Sequence, residues 1–284
     1  MNKKTDYELA MAHKYVTVHG RKPAEGVTTT LSMLNKPALV WSAAEITARF
    51  TYETLTGGLL EDVADTVKPY AMVKNAMGEK VKAKEATLLD KFLHACRAEH
   101  KRRWDAKADL GSRVHDHALD WALGKEIEIL EDEVAWMQCV EKFFVMYQPK
   151  FLYVEEVVVN PSPMGDDSLE YGGRFDAVVE IDGKTYLIDY KTGSPGYPVD
   201  KALQGAAYAH CEIAQYNESG DLVGTIPLPP LDELRTIYFN GTGDDPIVED
   251  PLANTTLEEA YDCFINLKKA RQWVKKVESA QSDL

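Results

Sequence analysis

Cysteine is scarce and scattered. Cys96, Cys139, Cys211 and Cys263 are the four thiols in 284 residues, and no two form a CxxC pair. Zinc ribbons and iron–sulfur clusters draw on closely spaced thiolates, so neither is expected, and all four are read as buried free thiols. Long hydrophobic runs are missing too. No apolar stretch reaches the roughly 20 residues that cross a bilayer, and Met1-Asn2-Lys3-Lys4-Thr5-Asp6 lacks the apolar centre of a signal peptide. A cytoplasmic protein with no membrane partner is expected. Positive charge is in deficit, with a formal net charge of −14, which argues against broad nonspecific attraction to nucleic acid. Internal repeats and low-complexity segments are absent.

What remains is ordinary globular material, 45% hydrophobic and 27% charged, enough for one large domain or one and a half. The basic residues cluster. Arg97 to Lys107 (RAEHKRRWDAK) carries five basic residues against two acidic ones, and Lys268-Lys269-Ala270-Arg271 with Lys275-Lys276 forms a second stretch. Each reads most simply as a solvated helix face. A local basic track and bound cations can still offset a negative overall field.

Periodicity divides the chain near residue 150. Before it, helices are predicted from Pro37 to about Thr54, Glu61 to Met77, Lys84 to Ala108, Arg113 to Leu123 and Glu131 to Tyr147. Gly57-Gly58 ends the first, and Gly111-Ser112 reads as a stop followed by a new N-cap. After it, Tyr153 to Asn160 alternates as a strand, a hairpin follows, and a helix is predicted from Asp200 to about Tyr216. Leu234 to Asn240 reads as a further strand and Leu257 to Ser279 as a closing helix. This order predicts an α/β fold with a mixed central β-sheet flanked by helices and a mostly helical N-terminal part. Residues 1–150 form that part and 151–284 the core, together one compact unit.

The hairpin from Gly173 to Lys191 is the most informative segment. Asp182-Gly183 between two β-rich runs signals a two-residue type I′ turn. Pairing Ile181 with Lys184 and counting back sets Asp176 opposite Asp189. Lys191 then shares the face of Asp189, and Arg174 that of Asp176. Like charges facing each other at roughly 5 Å are destabilising, unless a divalent cation lies between them. Mg²⁺ or Mn²⁺ held by Asp176, Asp189 and the Tyr190 carbonyl would suit phosphodiester hydrolysis. Lys191 would orient or help deprotonate the water, or stabilise the transition state. The plainer alternative is a surface hairpin whose charges pair in water.

Four segments in order, Gly111…His115, Gly173-Arg174-Phe175-Asp176, Asp189-Tyr190-Lys191-Thr192-Gly193 and Gln204…Tyr208, resemble the RecB-type branch of the PD-(D/E)XK nuclease superfamily. The likeness is greatest to phage-type, CRISPR-exonuclease-like members, whose VTT…KPAL…W segment is matched from Val27 to Trp41. The resemblance implies a restriction-endonuclease-like core. It implies that His115, Asp176 and Asp189 bind metal, that Lys191 is catalytic, and that Gln204 and Tyr208 position DNA or brace the site. Glu155 matches an acidic residue of the first core strand, although neighbouring Glu156 leaves the register open. Asp189 stands where Glu is commoner. The four-cysteine iron–sulfur cluster of related exonucleases is not carried over.

The implied activity is a metal-dependent DNA exonuclease of recombination, repair or phage DNA metabolism, in the host cytoplasm if phage-encoded. Its implied partners are DNA ends or single strands and a recombination protein. Lys101, Arg102 and Arg103 would contact the DNA backbone, and Trp41 and Trp104, otherwise core residues, would stack on bases. The alternatives are a catalytically inactive DNA- or partner-binding protein on the same fold, and a restriction-type endonuclease.

Overall fold

The second half of the chain passes between two β-sheets four times, and the first two of these exits place the site. The structure, a computed structural model, describes residues 4–18, 23–34, 37–57, 72–74 and 79–282. In chain order the elements are α1 (Asp6–Met11), β1 (Glu25–Gly26), α2 (Val27–Leu31), α3 (Pro37–Gly57), β2 (Met72–Lys74), β3 (Lys80–Lys82) and α4 (Leu88–Ala122). Then come α5 (Val134–Tyr147), β4 (Lys150–Val154), β5 (Val157–Asn160), β6 (Tyr171–Arg174), β7 (Ala177–Ile181) and β8 (Lys184–Thr192). The last are α6 (Val199–Ala209), β9 (Glu212–Tyr216), β10 (Leu222–Pro227), β11 (Glu233–Phe239), β12 (Ile247–Glu249) and α7 (Leu257–Ser282). Two compact units divide the chain, Met1–Leu34 with Arg113–Leu284 and Asn35–Ser112. The boundary near 150 falls inside the first.

In the first unit the strands form two five-stranded sheets, ordered β12-β11-β8-β7-β4 and β1-β6-β5-β9-β10. Both are mixed: β8 and β11 are parallel, as are β1 and β6, while the other pairs are antiparallel. With helices packed on them and a helical N-terminal region, this is the α/β architecture expected. The core joins Val158, Tyr171, Phe175, Val178 and Leu187 from the strands to Leu203, Ala206 and Ala207 of α6 and to Phe264 and Ile265 of α7. Small residues on α6 let that helix lie close to the sheet, as its alanines suggested. In the second unit, buried Phe92, Ala95 and Cys96 pack with Phe50 and Leu93.

Several expectations are corrected. Tyr153 to Asn160 is two strands in different sheets, β4 and β5, because Glu155 turns the backbone with φ 54°. Helix α4 runs unbroken through Gly111-Ser112. Ser112 Oγ bonds back to the Ala108 carbonyl at 2.9 Å rather than capping a new helix. A helical glycine costs only about 1 kcal/mol, which buried Val114, Ala118 and Leu119 outweigh. The helix expected from Asp200 to Tyr216 stops at Ala209, and Glu212–Tyr216 instead pairs with both β5 and β10. That pairing buries Ile213 opposite Val158. Within the helix expected from Glu61 to Met77, Met72–Lys74 is a strand paired with Lys80–Lys82 around buried Val73; the rest lies outside the described residues. Cys96, Cys139 and Cys211 are buried, but Cys263 is exposed on α7. Among the described residues no helix is long and apolar enough to cross a membrane.

Candidate active site

Asp182 and Gly183 both take positive φ, 50° and 78°, as a type I′ turn demands. The ladder they close runs from Ile181↔Lys184 to Ala177↔Ile188. One step further brings Asp176 beside Asp189, the register read from the sequence. Asp176 itself lies past the ladder, in the bend where the chain passes from β6 in one sheet to β7 in the other. Its Oδ2 accepts the Tyr190 N–H at 2.6 Å, and its Oδ1 lies 2.9 Å from Nε2 of His115 on α4. Asp189 Oδ1 accepts from Lys191 Nζ at 2.6 Å. Asp189 Oδ2 is buried, with no hydrogen-bond partner among the described residues. Both carboxylate residues line a cavity of about 10 Å³, room for a single water-sized group.

The four groups set one another's charge. Burial pushes Asp189 up to about 6; Lys191 opposes this and the charge of Asp176 adds to it. Burial also pushes Asp176 up, but the His115 bond and charge, Lys191 and the Tyr190 N–H together hold it below the usual carboxylate range. His115 is pushed down by burial yet ends above the ordinary imidazole value, through Asp176, Glu155 and Asp116. Lys191, despite burial, is raised by Asp189 and Asp176. Two acids in one site are thus driven apart.

Helix α6 covers the pair. Tyr208 is buried, Gln204 Nε2 lies 3.5 Å from its hydroxyl, and its ring presses on β6. A Cβ at Gly173 would fall 2.3 Å from Tyr208 Cε1, so only glycine fits there. Lys201, on the same stretch of helix, lines the cavity and donates to the Tyr197 carbonyl at 2.8 Å. It was missed in the sequence, although its i, i+3, i+7 spacing with Gln204 and Tyr208 was a usable signal. Tyr190 contributes its N–H, while its ring is buried against Phe143 and Phe239.

Glu155 reaches toward Arg174 at 3.6 Å, and Glu156 is raised by burial. His115, Asp116 and Glu155 each offer one ligand atom, all within 4.8 Å of one another, a group able to hold a metal ion. Asp116 was overlooked although it directly follows His115. In the second unit Lys101 pairs with Asp105 at 2.6 Å, and Arg102 and Arg103 share the buried Glu99 at 2.7 and 2.8 Å. Trp104 packs edge-on to His100; the Trp41 side chain lies outside the described ones.

A largely buried acidic corner with one fixed ammonium beside it is what a cation-assisted hydrolase needs. The likeness extends along most of the chain: residues 73–277 match the PD-(D/E)XK nuclease superfamily, and the chain belongs to that superfamily. No curated protein matches it. Nucleases of this superfamily generally use divalent metals, and the residues present fit such an ion. The observation is the buried Oδ2 of Asp189, without a partner among the described residues, in a corner where Asp176 Oδ1 meets His115 Nε2 at 2.9 Å. Carboxylate oxygens and an imidazole suit Mg²⁺ or Mn²⁺.

Proposed function

We propose that the protein is a metal-dependent deoxyribonuclease that acts as an exonuclease in DNA recombination, repair or phage DNA metabolism. The observation that carries this reading is the orphaned Asp189 oxygen, which meets no donor among the described residues while its twin oxygen is held by Lys191. A carboxylate buried in that way is costly unless a cation completes it. Asp176, Asp189 and His115 would hold the ion, with the Tyr190 carbonyl as a further ligand and Asp116 and Glu155 beside it. When bound, a divalent cation polarises the phosphate and makes water a better nucleophile near neutral pH.

The chain's own groups do the rest. Lys191, kept protonated by its two acidic neighbours, donates to a non-bridging phosphate oxygen and stabilises charge in the transition state. That charge state favours this role over deprotonating water. Asp176 is fixed by the Tyr190 N–H, which keeps its other oxygen turned toward His115. Gln204 and Tyr208 brace the strand behind Asp176, and Arg174 holds Glu155 near the site. Lys101, Arg102 and Arg103 would approach the DNA backbone only by exchanging their carboxylate partners for phosphates.

The test is cleavage of end-labelled linear DNA with Mg²⁺ or Mn²⁺ by wild type, Asp189→Ala and Lys191→Ala. Shortening from an end by wild type alone supports the reading. Equal products from all three reject the catalytic assignment, and opening of a closed circle replaces exonuclease by endonuclease. Wild-type DNA binding without cleavage identifies an inactive binding protein.

A further inference from the structure

Beside the small acidic cavity lies a larger one that the catalytic groups do not use. It has a volume of about 330 Å³ and is set between the first turns of α6 and α7 and the residues that follow β12. Pro251 lines both cavities. Ala202, in the wall of the larger, directly follows Lys201, in the wall of the smaller. The larger cavity is mostly apolar, with Pro198, Val199, Leu203, Pro251 and Cys263 in its wall. Cys263 is exposed, whereas Cys96, Cys139 and Cys211 are buried. A few polar groups complete the lining. Glu259 uses Oε2 to accept from Thr255 Oγ1 and from the Thr256 N–H, both at 3.1 Å, and its Oε1 has no hydrogen bond among the described residues. The Asn254 carboxamide likewise has no partner among them.

We propose that this cavity receives an unpaired nucleobase of the DNA strand whose phosphate is held at the catalytic corner, an inference that rests on the nuclease reading above. Charge selects the base over the backbone. Asp250 and Glu259 line the cavity and no described cation does, so a phosphate is repelled and the occupant is neutral. Shape and chemistry agree. Flat apolar faces bury well against proline and aliphatic walls, and a cavity of this size holds a base with its sugar. The edge of a base carries hydrogen-bond donors and acceptors. The free Asn254 carboxamide offers both kinds of group, and the free Glu259 Oε1 accepts from an exocyclic amine. Position agrees as well. The base hangs from the sugar next to the phosphate, and the two cavities share Pro251. A paired base cannot enter, so the cavity favours single strands or frayed ends.

The experiment uses Cys263 as a footprint. The full chain in EDTA is alkylated with N-ethylmaleimide, and the rate at Cys263 is followed by mass spectrometry. Each of the four deoxynucleosides is added in turn, with deoxyribose 5-phosphate as the control that lacks a base. At least one deoxynucleoside is expected to slow the reaction saturably and several-fold, and the control to leave it unchanged. Asn254→Ala, at an exposed position, is expected to remove most of that protection. A short single-stranded oligonucleotide should protect at lower concentration than its abasic twin, which identifies a base within a strand as the occupant. No protection by any deoxynucleoside, equal protection by the control, or equal protection by the two oligonucleotides would each overturn the proposal. So would alkylation that slows only as protein concentration rises, because a second copy would then be the occupant. The footprint needs no cleavage, so its failure is a separate result from failure of the nuclease assay.

Discussion

Replacing Asp189 by Asn is predicted to make the metal-free protein more stable while destroying cleavage. Burial beside Asp176 moves the Asp189 carboxyl from 3.8 to about 6, which costs its ionised form about 3 kcal/mol. A raised acid pKa means that the folded state holds the proton more tightly than the unfolded chain. Stability therefore falls as pH rises from about 4 to about 6, and stays lower above that window. Asn resembles the neutral acid, and the raised value already includes the favourable charge of Lys191. The gain is therefore about 3 kcal/mol at pH 7.5, vanishing near pH 4 where the wild-type acid is already neutral. Urea denaturation in EDTA at both pH values measures it. Adding Mn²⁺ should raise wild-type stability by mass action and leave Asp189→Asn nearly unmoved. A variant less stable than wild type at pH 7.5, or one stabilised equally by Mn²⁺, would refute the reasoning.

Lys191→Ala should lower the cleavage rate by about 10²–10³ under single-turnover conditions, the usual cost of removing one transition-state donor. Gly173→Ala should cost about 1–3 kcal/mol in denaturation, because its methyl would lie 2.3 Å from Tyr208 Cε1; in a Tyr208→Ala background most of that cost should disappear. Glu133, fully buried between Arg113 and His117, is held below the usual carboxylate range against the effect of burial, chiefly by Arg113. Its stabilisation is present above the unfolded value and lost as pH falls through the lower folded one. Glu133→Ala should cost about 2–3 kcal/mol at pH 7, discounted for the exposure of Arg113, and progressively less as pH falls through the lowered folded value.

The hairpin was legible because its turn chemistry is local. Asp182-Gly183 fixes φ at two residues, and every later pairing follows by counting. The corner next to it was not. Glu155 with positive φ runs against its own propensity, and only the tertiary frame that holds β4 and β5 in separate sheets makes it adopt that conformation. Strand β9 was missed for a related reason. Glu212–Tyr216 continues a helical composition, and its ladder partners Val158 and the β10 residues lie far from it or beyond a turn. His115 was found through a family pattern, since a histidine on a helix does not announce an aspartate 61 positions later. Lys201 shares a helix face with Gln204 and Tyr208, and Asp116 directly follows His115; neither signal was used.

The two sheet exits explain why the acids sit where they do. The chain leaves one sheet at Glu155 and the other at Asp176, and the Glu155 N–H bonds the Asp176 carbonyl at 2.9 Å, tying the exits together. A residue inside a regular ladder has its side chain aimed by the pleat. Asp176, one step outside it, can bend its carboxylate to accept the Tyr190 N–H and still present an oxygen to His115. Asp189 and Lys191 remain in a central strand, flanked by β7 and β11, and are held rigidly at alternate positions on one face. One carboxylate is therefore placed by a corner and the other by a ladder. In the proposed metal role, that pairing of an adjustable and a fixed acid is what a short hairpin would offer one ion.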